Sequence, residues 1–116
     1  MPQIDLVAKL RYALRGFSYV VRHESSFRLE LIAAALVQLA VLVFDLSIMA
    51  WAILTLATVV VLSAEVFNTA LERLLDVVEP RLSDQVALLK NVLSAAVLLT
   101  VVGAALVILG LTLNSL

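Results

Sequence analysis

The chain alternates short polar stretches with long apolar runs, and this pattern predicts an all-α protein with four helices. Residues 4–22 place apolar side chains three and four positions apart with basic side chains between them, which predicts an amphipathic helix. Three apolar runs follow, at 29–44, 47–78 and 90–113. Each run is long enough to enter a bilayer, although the first needs its flanking residues to cross one. We therefore expect one surface helix and three membrane spans.

Single residues within this pattern suggest how the helices begin and pack. Pro2 is a plausible start signal for the first helix, and Asp45 is expected to cap the N-terminus of the second span. Gln38 lies within an apolar run, where a hydrogen bond to another helix is expected. Trp51 is expected to anchor at the outer interface. Glu79-Pro80 should end the second span, because proline disfavours helix at the residue before it.

Composition makes lipid the solvent for most of the chain. Hydrophobic residues are 64% of the 116 residues and charged residues are 15%, more apolar surface than one small soluble domain could bury. There is no cysteine, which excludes disulfides, thiol catalysis and thiolate metal sites. The net charge of −1 gives no reason to expect binding to nucleic acid. The sequence thus indicates a single membrane domain covering residues 1–116.

The basic residues predict the orientation of the chain in the membrane. All eight lie either before the first span or between residues 73 and 90. The positive-inside rule then places the N-terminus and the 73–90 region in the cytoplasm, with the C-terminus outside. We expect a multi-pass membrane protein with this orientation.

Four polar residues form a stripe at the end of the second span: Glu65, Asn68, Glu72 and Asp76. At about 100° per residue, they fall within an arc of roughly 80°. An ionisable group at membrane depth costs several kcal/mol unless it faces protein or water. The stripe could simply join helices through polar contacts, but three carboxylates exceed what helix packing requires. We interpret it as a functional site, with Asp76 equally compatible with a solvated position.

The predicted orientation collects further polar residues beside this stripe. Glu24, Glu30 and Lys90 are all expected near the same cytoplasmic edge. Carboxylates with a lysine suit phosphoryl transfer from a nucleotide to a lipid alcohol, because that reaction needs a divalent cation and a base. Mg²⁺ is typically held by one or two carboxylates and phosphate oxygens. No Walker motif or protein-kinase glycine loop is present, so a nucleotide site would be built differently.

Several blocks of the sequence resemble one family of membrane enzymes. They are Glu65-Val-Phe-Asn68-Thr-Ala-Leu-Glu72 with the later Asp76, Lys90-Asn91-Val-Leu-Ser-Ala-Ala, Arg15-Gly16 and Glu24-Ser-Ser-Phe27-Arg28-Leu-Glu30. With these blocks the chain resembles the prokaryotic integral-membrane diacylglycerol kinase and undecaprenol kinase family over almost its whole length. The resemblance implies a homotrimer whose protomers each have three spans and one amphipathic surface helix. It also implies active sites between protomers at the cytoplasmic edge of the membrane.

The resemblance further implies a role for each matching residue. Glu65 would be the catalytic base toward the lipid hydroxyl, and Glu24 and Glu72 would hold Mg²⁺ on the ATP phosphates. The remaining implied contacts are nucleotide binding by Tyr12, Asn68, Lys90 and Asn91, and lipid binding by Arg28, Glu30, Glu65 and Ser94. The implied activity is transfer of the γ-phosphate of ATP to a membrane lipid, either diacylglycerol, to give phosphatidic acid, or undecaprenol.

Two other classes of function stay open at this point. A transporter or proton-coupled exchanger also uses intramembrane glutamates, although these would tend to lie nearer the middle of a span. A weakly active or inactive nucleotide-binding relative is the other alternative, because the family usually has Lys-Asp where this chain has Lys90-Asn91. Asparagine keeps hydrogen-bonding capacity but loses the negative charge.

The departure at position 91 generates a first prediction. If the missing charge limits assembly of the nucleotide and metal, Asn91→Asp should raise the rate of ATP turnover. Phosphate transfer from labelled ATP by the purified variant and parent, compared at equal protein concentration, measures this. An unchanged or lower rate would show that position 91 does not limit activity.

Overall fold

The computed structural model describes residues 5–78 and 83–115, and these ranges contain four α-helices and no strand. Helix α1 spans Leu6–His23, α2 spans Ser25–Val43, α3 spans Ile48–Val78 and α4 spans Asp84–Ser115. Three helical segments are long and apolar enough to cross a membrane: Ser25–Val43, Ile48–Val78 and Asp84–Asn114. The predicted fold class, an all-α membrane protein with three long apolar helices, is confirmed.

Short polar side chains define where α1 and α4 begin. Asp5 caps α1, since its carboxylate accepts hydrogen bonds from the backbone N–H groups of Val7 and Ala8. Ser83 caps α4 by accepting from the N–H of Val86 at 3.1 Å. The polar residues that precede the apolar run at residue 90 therefore form the first turns of α4. The predicted signals at Pro2 and Glu79-Pro80 lie outside the described residues.

A tight turn reverses the chain between α2 and α3. Asp45 adopts a positive φ of 50°, and the N–H groups of Asp45 and Leu46 donate to the carbonyls of Leu42 and Val41. This is the Schellman pattern of a helix C-terminus, with aspartate in the left-handed position that glycine usually takes. The prediction that Asp45 caps the second span is wrong. Ser47 does so, because its hydroxyl accepts from the N–H of Ala50.

Helix α3 is the centre of the bundle, with α2 and α4 packed against it. Helices α2 and α4 do not approach one another closely, and a cleft of about 270 Å³ lies between them. The cleft is lined mainly by alanine and branched aliphatic side chains of all three helices, and Glu30 lies at one end. Most large apolar side chains of the spans are exposed in the protomer, as expected for helices solvated by lipid.

A corner at Glu24 joins α1 to α2. Glu24 has an extended backbone, and the guanidinium of Arg28 donates to the carbonyls of Val21 and Arg22 at 2.7 and 3.1 Å. Phe27 is fully buried, and its ring meets Phe17 edge-to-face with 5.5 Å between centroids. These contacts fix the end of α1 against the start of α2, and thereby fix the position of Glu24.

A polar network joins α2 to α3 within the apolar region. The amide nitrogen of Gln38 donates to the hydroxyl of Thr55 at 3.0 Å, and the indole N–H of Trp51 donates to the amide oxygen of Gln38 at 2.9 Å. The predicted hydrogen bond from Gln38 to another helix is confirmed. The network sets the antiparallel register of the two helices, because a slip would leave these groups unpaired in lipid.

The network predicts unequal effects of two matched threonine substitutions. Thr55→Val should destabilise the folded protein by about 0.6–2 kcal/mol, because the amide nitrogen of Gln38 loses its acceptor on α3. Thr58→Val is the control, since the hydroxyl of Thr58 bonds only the carbonyl of Leu54 on the same helix. Unfolding in mixed micelles with increasing SDS measures both. Equal losses from the two variants would contradict the assigned role of the network.

Candidate carboxylate site

The polar stripe of α3 runs from the protein interior to its surface. Glu65 is buried, with 8% of its surface exposed, and Thr69 on the next turn is also buried. Asn68 and Glu72 are half-buried, and Asp76 is exposed. Regular helix geometry places all of them on the side of α3 that the other helices partly cover. The site therefore has a dry end at Glu65 and a wet end at Asp76.

Glu30 from α2 meets Glu65 at the dry end. The two carboxyl groups lie within hydrogen-bonding range of one another. Glu24 and Glu72 are close enough for their charges to act on Glu65. One oxygen of Glu30 is buried without a hydrogen-bond partner in the described chain. Tertiary structure thus gathers four predicted carboxylates from α2, α3 and the corner before α2.

Asn68 connects the buried part of the site to its outer part. Its amide nitrogen donates to a carboxylate oxygen of Glu72 at 3.3 Å. Its amide oxygen is buried and has no hydrogen-bond partner among the described residues. A buried acceptor without a partner is costly in a finished fold. Asn68 therefore orients Glu72 and has a buried amide oxygen that could accept a further hydrogen bond.

The wet end of the site contains an ion pair between two helices. The ammonium of Lys90 on α4 lies 2.8 Å from a carboxylate oxygen of Asp76 on α3. Both side chains are partly exposed, so the pair can exchange with other charged partners at a small energetic cost. Asp76 therefore holds Lys90 beside the carboxylate cluster.

Arg73 is a residue of the site for which the sequence predicted no role. Its guanidinium lies 4.0 Å from the carboxylate of Glu24 and 5.8 Å from the centre of the Tyr19 ring. Tyr19 in turn stacks on His23 with 4.1 Å between ring centroids. Arg73 directly follows Glu72, and this position is the feature of the sequence that could have suggested a role in the site. Only the packing of α1 and α2 on α3 shows that it faces Glu24.

The remaining predicted site residues do not lie in the carboxylate cluster. Tyr12 is exposed on α1, two turns before Tyr19. Asn91 and Ser94 are exposed on α4. Arg28 is engaged with the carbonyls at the end of α1. The chain therefore brings together the carboxylates and Lys90, and leaves these four side chains at its periphery or in the corner before α2.

The carboxylate pair predicted to hold a metal suits a cation that also binds a ligand. Glu24 and Glu72 provide hard oxygen donors, and both are close enough for their charges to act on Glu65. Within residues 5–78 and 83–115, no group of three or more histidine, cysteine, aspartate or glutamate side chains is arranged to hold a metal. Two carboxylates and several phosphate oxygens are a common shell for Mg²⁺. The residues therefore fit a Mg²⁺ that arrives with phosphates.

The fold and the site define a small helical membrane protein with a carboxylate cluster at one end of its bundle. The sequence model of the family described as prokaryotic diacylglycerol kinase matches residues 11–112. A diacylglycerol kinase of Synechocystis sp. is 31% identical over 104 residues, covering 89% of this chain. The chain spans 59% of the length of that relative. It belongs to the prokaryotic diacylglycerol kinase family, as the sequence motifs predicted.

The contact between Glu30 and Glu65 predicts that replacing one of the two carboxyl groups by an amide stabilises the folded protein. Glu30→Gln should raise the free energy of unfolding by about 1 kcal/mol, because its amide can donate to Glu65 and one of two like charges is removed. Asp76→Asn is the matched control, since it breaks an ion pair with Lys90. SDS unfolding of both variants measures the difference. A loss of stability in Glu30→Gln as large as that in Asp76→Asn would contradict the prediction.

Proposed function

We propose that the protein is an ATP- and Mg²⁺-dependent kinase that phosphorylates the hydroxyl group of a membrane lipid. One observation carries the proposal: Glu65 is buried against Glu30, and Glu30 lies at the end of the apolar cleft between α2 and α4. A base at the junction of an apolar cleft and a phosphate-binding cluster is the arrangement that this reaction requires. Membership of the family supports the same activity.

The proposed acceptor is diacylglycerol, and the product is phosphatidic acid. The cleft offers small apolar side chains for an acyl chain, including Ala33, Ala34 and Ala104, and a carboxylate where a hydroxyl would lie. The names of the family and of the Synechocystis relative favour diacylglycerol. Undecaprenol is the alternative acceptor, because it presents the same combination of a long apolar chain and one terminal hydroxyl.

Glu65 is the proposed catalytic base. Its carboxylate accepts the proton of the lipid hydroxyl while the lipid oxygen forms a bond to the γ-phosphorus of ATP. The bond between that phosphorus and the β–γ bridging oxygen breaks, and ADP leaves with the electron pair. Glu30 contacts Glu65 and fixes the orientation of its carboxyl group. Burial excludes water from the base, which favours transfer to the lipid over hydrolysis.

The half-buried and exposed residues of the site are proposed to hold the nucleotide. Glu24 and Glu72 would hold Mg²⁺, which when bound neutralises charge on the phosphates. Asn68 positions Glu72 and offers its unpaired amide oxygen. Lys90 would move from Asp76 to a phosphate oxygen. In the absence of nucleotide, the ion pair with Asp76 would keep the ammonium group of Lys90 beside the site.

The peripheral residues fit a site completed by a second protomer in a homotrimer. Tyr12, Asn91 and Ser94 are exposed in one protomer, so a neighbour could receive them at its own nucleotide and lipid positions. A side chain added at Gly103 or Gly110 would meet no atom within 4 Å, so this flank of α4 is open to close helix packing. Arg28 would act on the lipid side by holding the corner before α2.

The proposed membrane location follows the basic residues. With the basic N-terminal segment and the basic 73–90 region in the cytoplasm of a bacterium, the carboxylate site faces the soluble nucleotide pool at the inner membrane. The C-terminus then lies outside. This orientation is the one in which ATP can reach Glu72 and Lys90 without crossing the bilayer.

Phosphate transfer from labelled ATP tests the proposal. The purified protein, with Mg²⁺, should label diacylglycerol in mixed micelles, and Glu65→Gln should lower the rate by about 10²–10⁴-fold through loss of the base. Thr100→Val is the control, because its hydroxyl bonds the carbonyl of Val97 on its own helix and lines neither the carboxylate cluster nor the cleft. Undecaprenol is tested in parallel.

Each result decides between the alternatives. Label in undecaprenol alone would identify undecaprenol as the acceptor and leave the proposed mechanism unchanged. No label in either lipid, from protein that elutes as a folded oligomer and binds ATP, would identify a non-catalytic relative. If the Glu65→Gln variant labels the lipid as strongly as the parent protein, Glu65 is not the catalytic base.

A further inference from the structure

Helix α1 has an arginine column that the proposed phosphate transfer does not use. Arg11, Arg15 and Arg22 fall within an arc of roughly 40° on the helix surface. All three are exposed, and no hydrogen bond or ion pair joins their guanidinium groups to another residue in the described part of the chain. The segment Leu6–His23 contains no acidic residue. The positive charge of the column is therefore not balanced within α1.

The column faces away from the carboxylate site. Val20 is the buried residue of α1, and it lies roughly 160° around the helix from the centre of the column. Arg73 approaches α1 at Tyr19, which lies between the column and Val20 on the helix surface. Tyr19 therefore stands between the column and Arg73, which lies beside Glu24 in the carboxylate site.

The column borders the apolar face of the same helix. Leu6, Leu10 and Leu14 are exposed on that face, and an exposed amphipathic helix beside membrane spans buries such a face at the bilayer interface. The arginines then lie at the level of the lipid headgroups. A shallow groove of about 480 Å³ runs along them, and it is lined by Arg11, Arg15, Ser18 and Arg22 with Leu14, Tyr19 and His23.

We propose that the arginine column is a docking site for the phosphate groups of anionic phospholipids. Guanidinium groups bind phosphate oxygens through paired N–H donors, and the hydroxyl of Ser18 adds a donor between them. Anionic headgroups are the complementary charge at the depth where α1 lies. The column would thereby hold α1, and with it the corner at Glu24, against the membrane surface.

Lipid binding by the full chain tests the proposal without requiring enzyme activity. The detergent-solubilised protein is titrated with short-chain phosphatidylglycerol and with phosphatidylcholine of the same acyl chains, and bound lipid is counted by native mass spectrometry. We expect preference for phosphatidylglycerol. Combined Arg11→Gln, Arg15→Gln and Arg22→Gln should weaken its binding about 100-fold, since each basic residue near an anionic surface contributes about fivefold.

Two further variants separate a defined site from general charge. Lys9→Gln, at the other edge of α1, should leave the preference unchanged, whereas Arg15→Gln alone should lower it about fivefold. Replacing the three arginines by lysine should keep part of the binding and serves as the folded reference. Equal loss in Lys9→Gln and Arg15→Gln, full binding by the triple glutamine variant, or displacement of phosphatidylglycerol by ATP would each overturn the proposal.

Discussion

The cost of placing carboxylates at membrane depth governs this structure. Glu65 can remain in an apolar region because protein, rather than lipid, covers it, and Glu30 is half-buried beside it. The pairing of α2 with α3 provides that cover. The turn at Asp45 and the hydrogen bonds of Gln38 hold the two helices in one antiparallel register, and the same register brings Glu30 opposite Glu65.

The length of α3 links the dry and wet parts of the site. One continuous helix, Ile48–Val78, carries polar groups from the buried Glu65 to the exposed Asp76. In the proposed reaction, the lipid hydroxyl would lie beside Glu65 and the charged phosphates near Asp76, so the difference in solubility between the two substrates would match the gradient along the helix. Membership of the prokaryotic diacylglycerol kinase family is consistent with a helix whose polar groups change from buried to exposed along its length.

The corner before α2 connects the membrane surface to the site. Arg28 ties the last carbonyls of α1 to α2, and Arg73 approaches both Glu24 and Tyr19. A change in how α1 lies on the bilayer would therefore move Glu24 relative to Glu72. Contact of the arginine column with anionic headgroups would act on Glu24 and Glu72, the pair proposed to hold Mg²⁺, through this short path.

The sequence by itself determined the helices and the stripe, because the period of apolar and polar residues depends only on local helix geometry. It also indicated the family, through the blocks around Glu65 and Lys90. Only the tertiary structure decided that Ser47 rather than Asp45 caps α3, that Arg73 faces Glu24, and that Asp76 binds Lys90. Those contacts join residues from separate elements or depend on backbone dihedral angles at a turn, and hydrophobic periodicity contains no information about either.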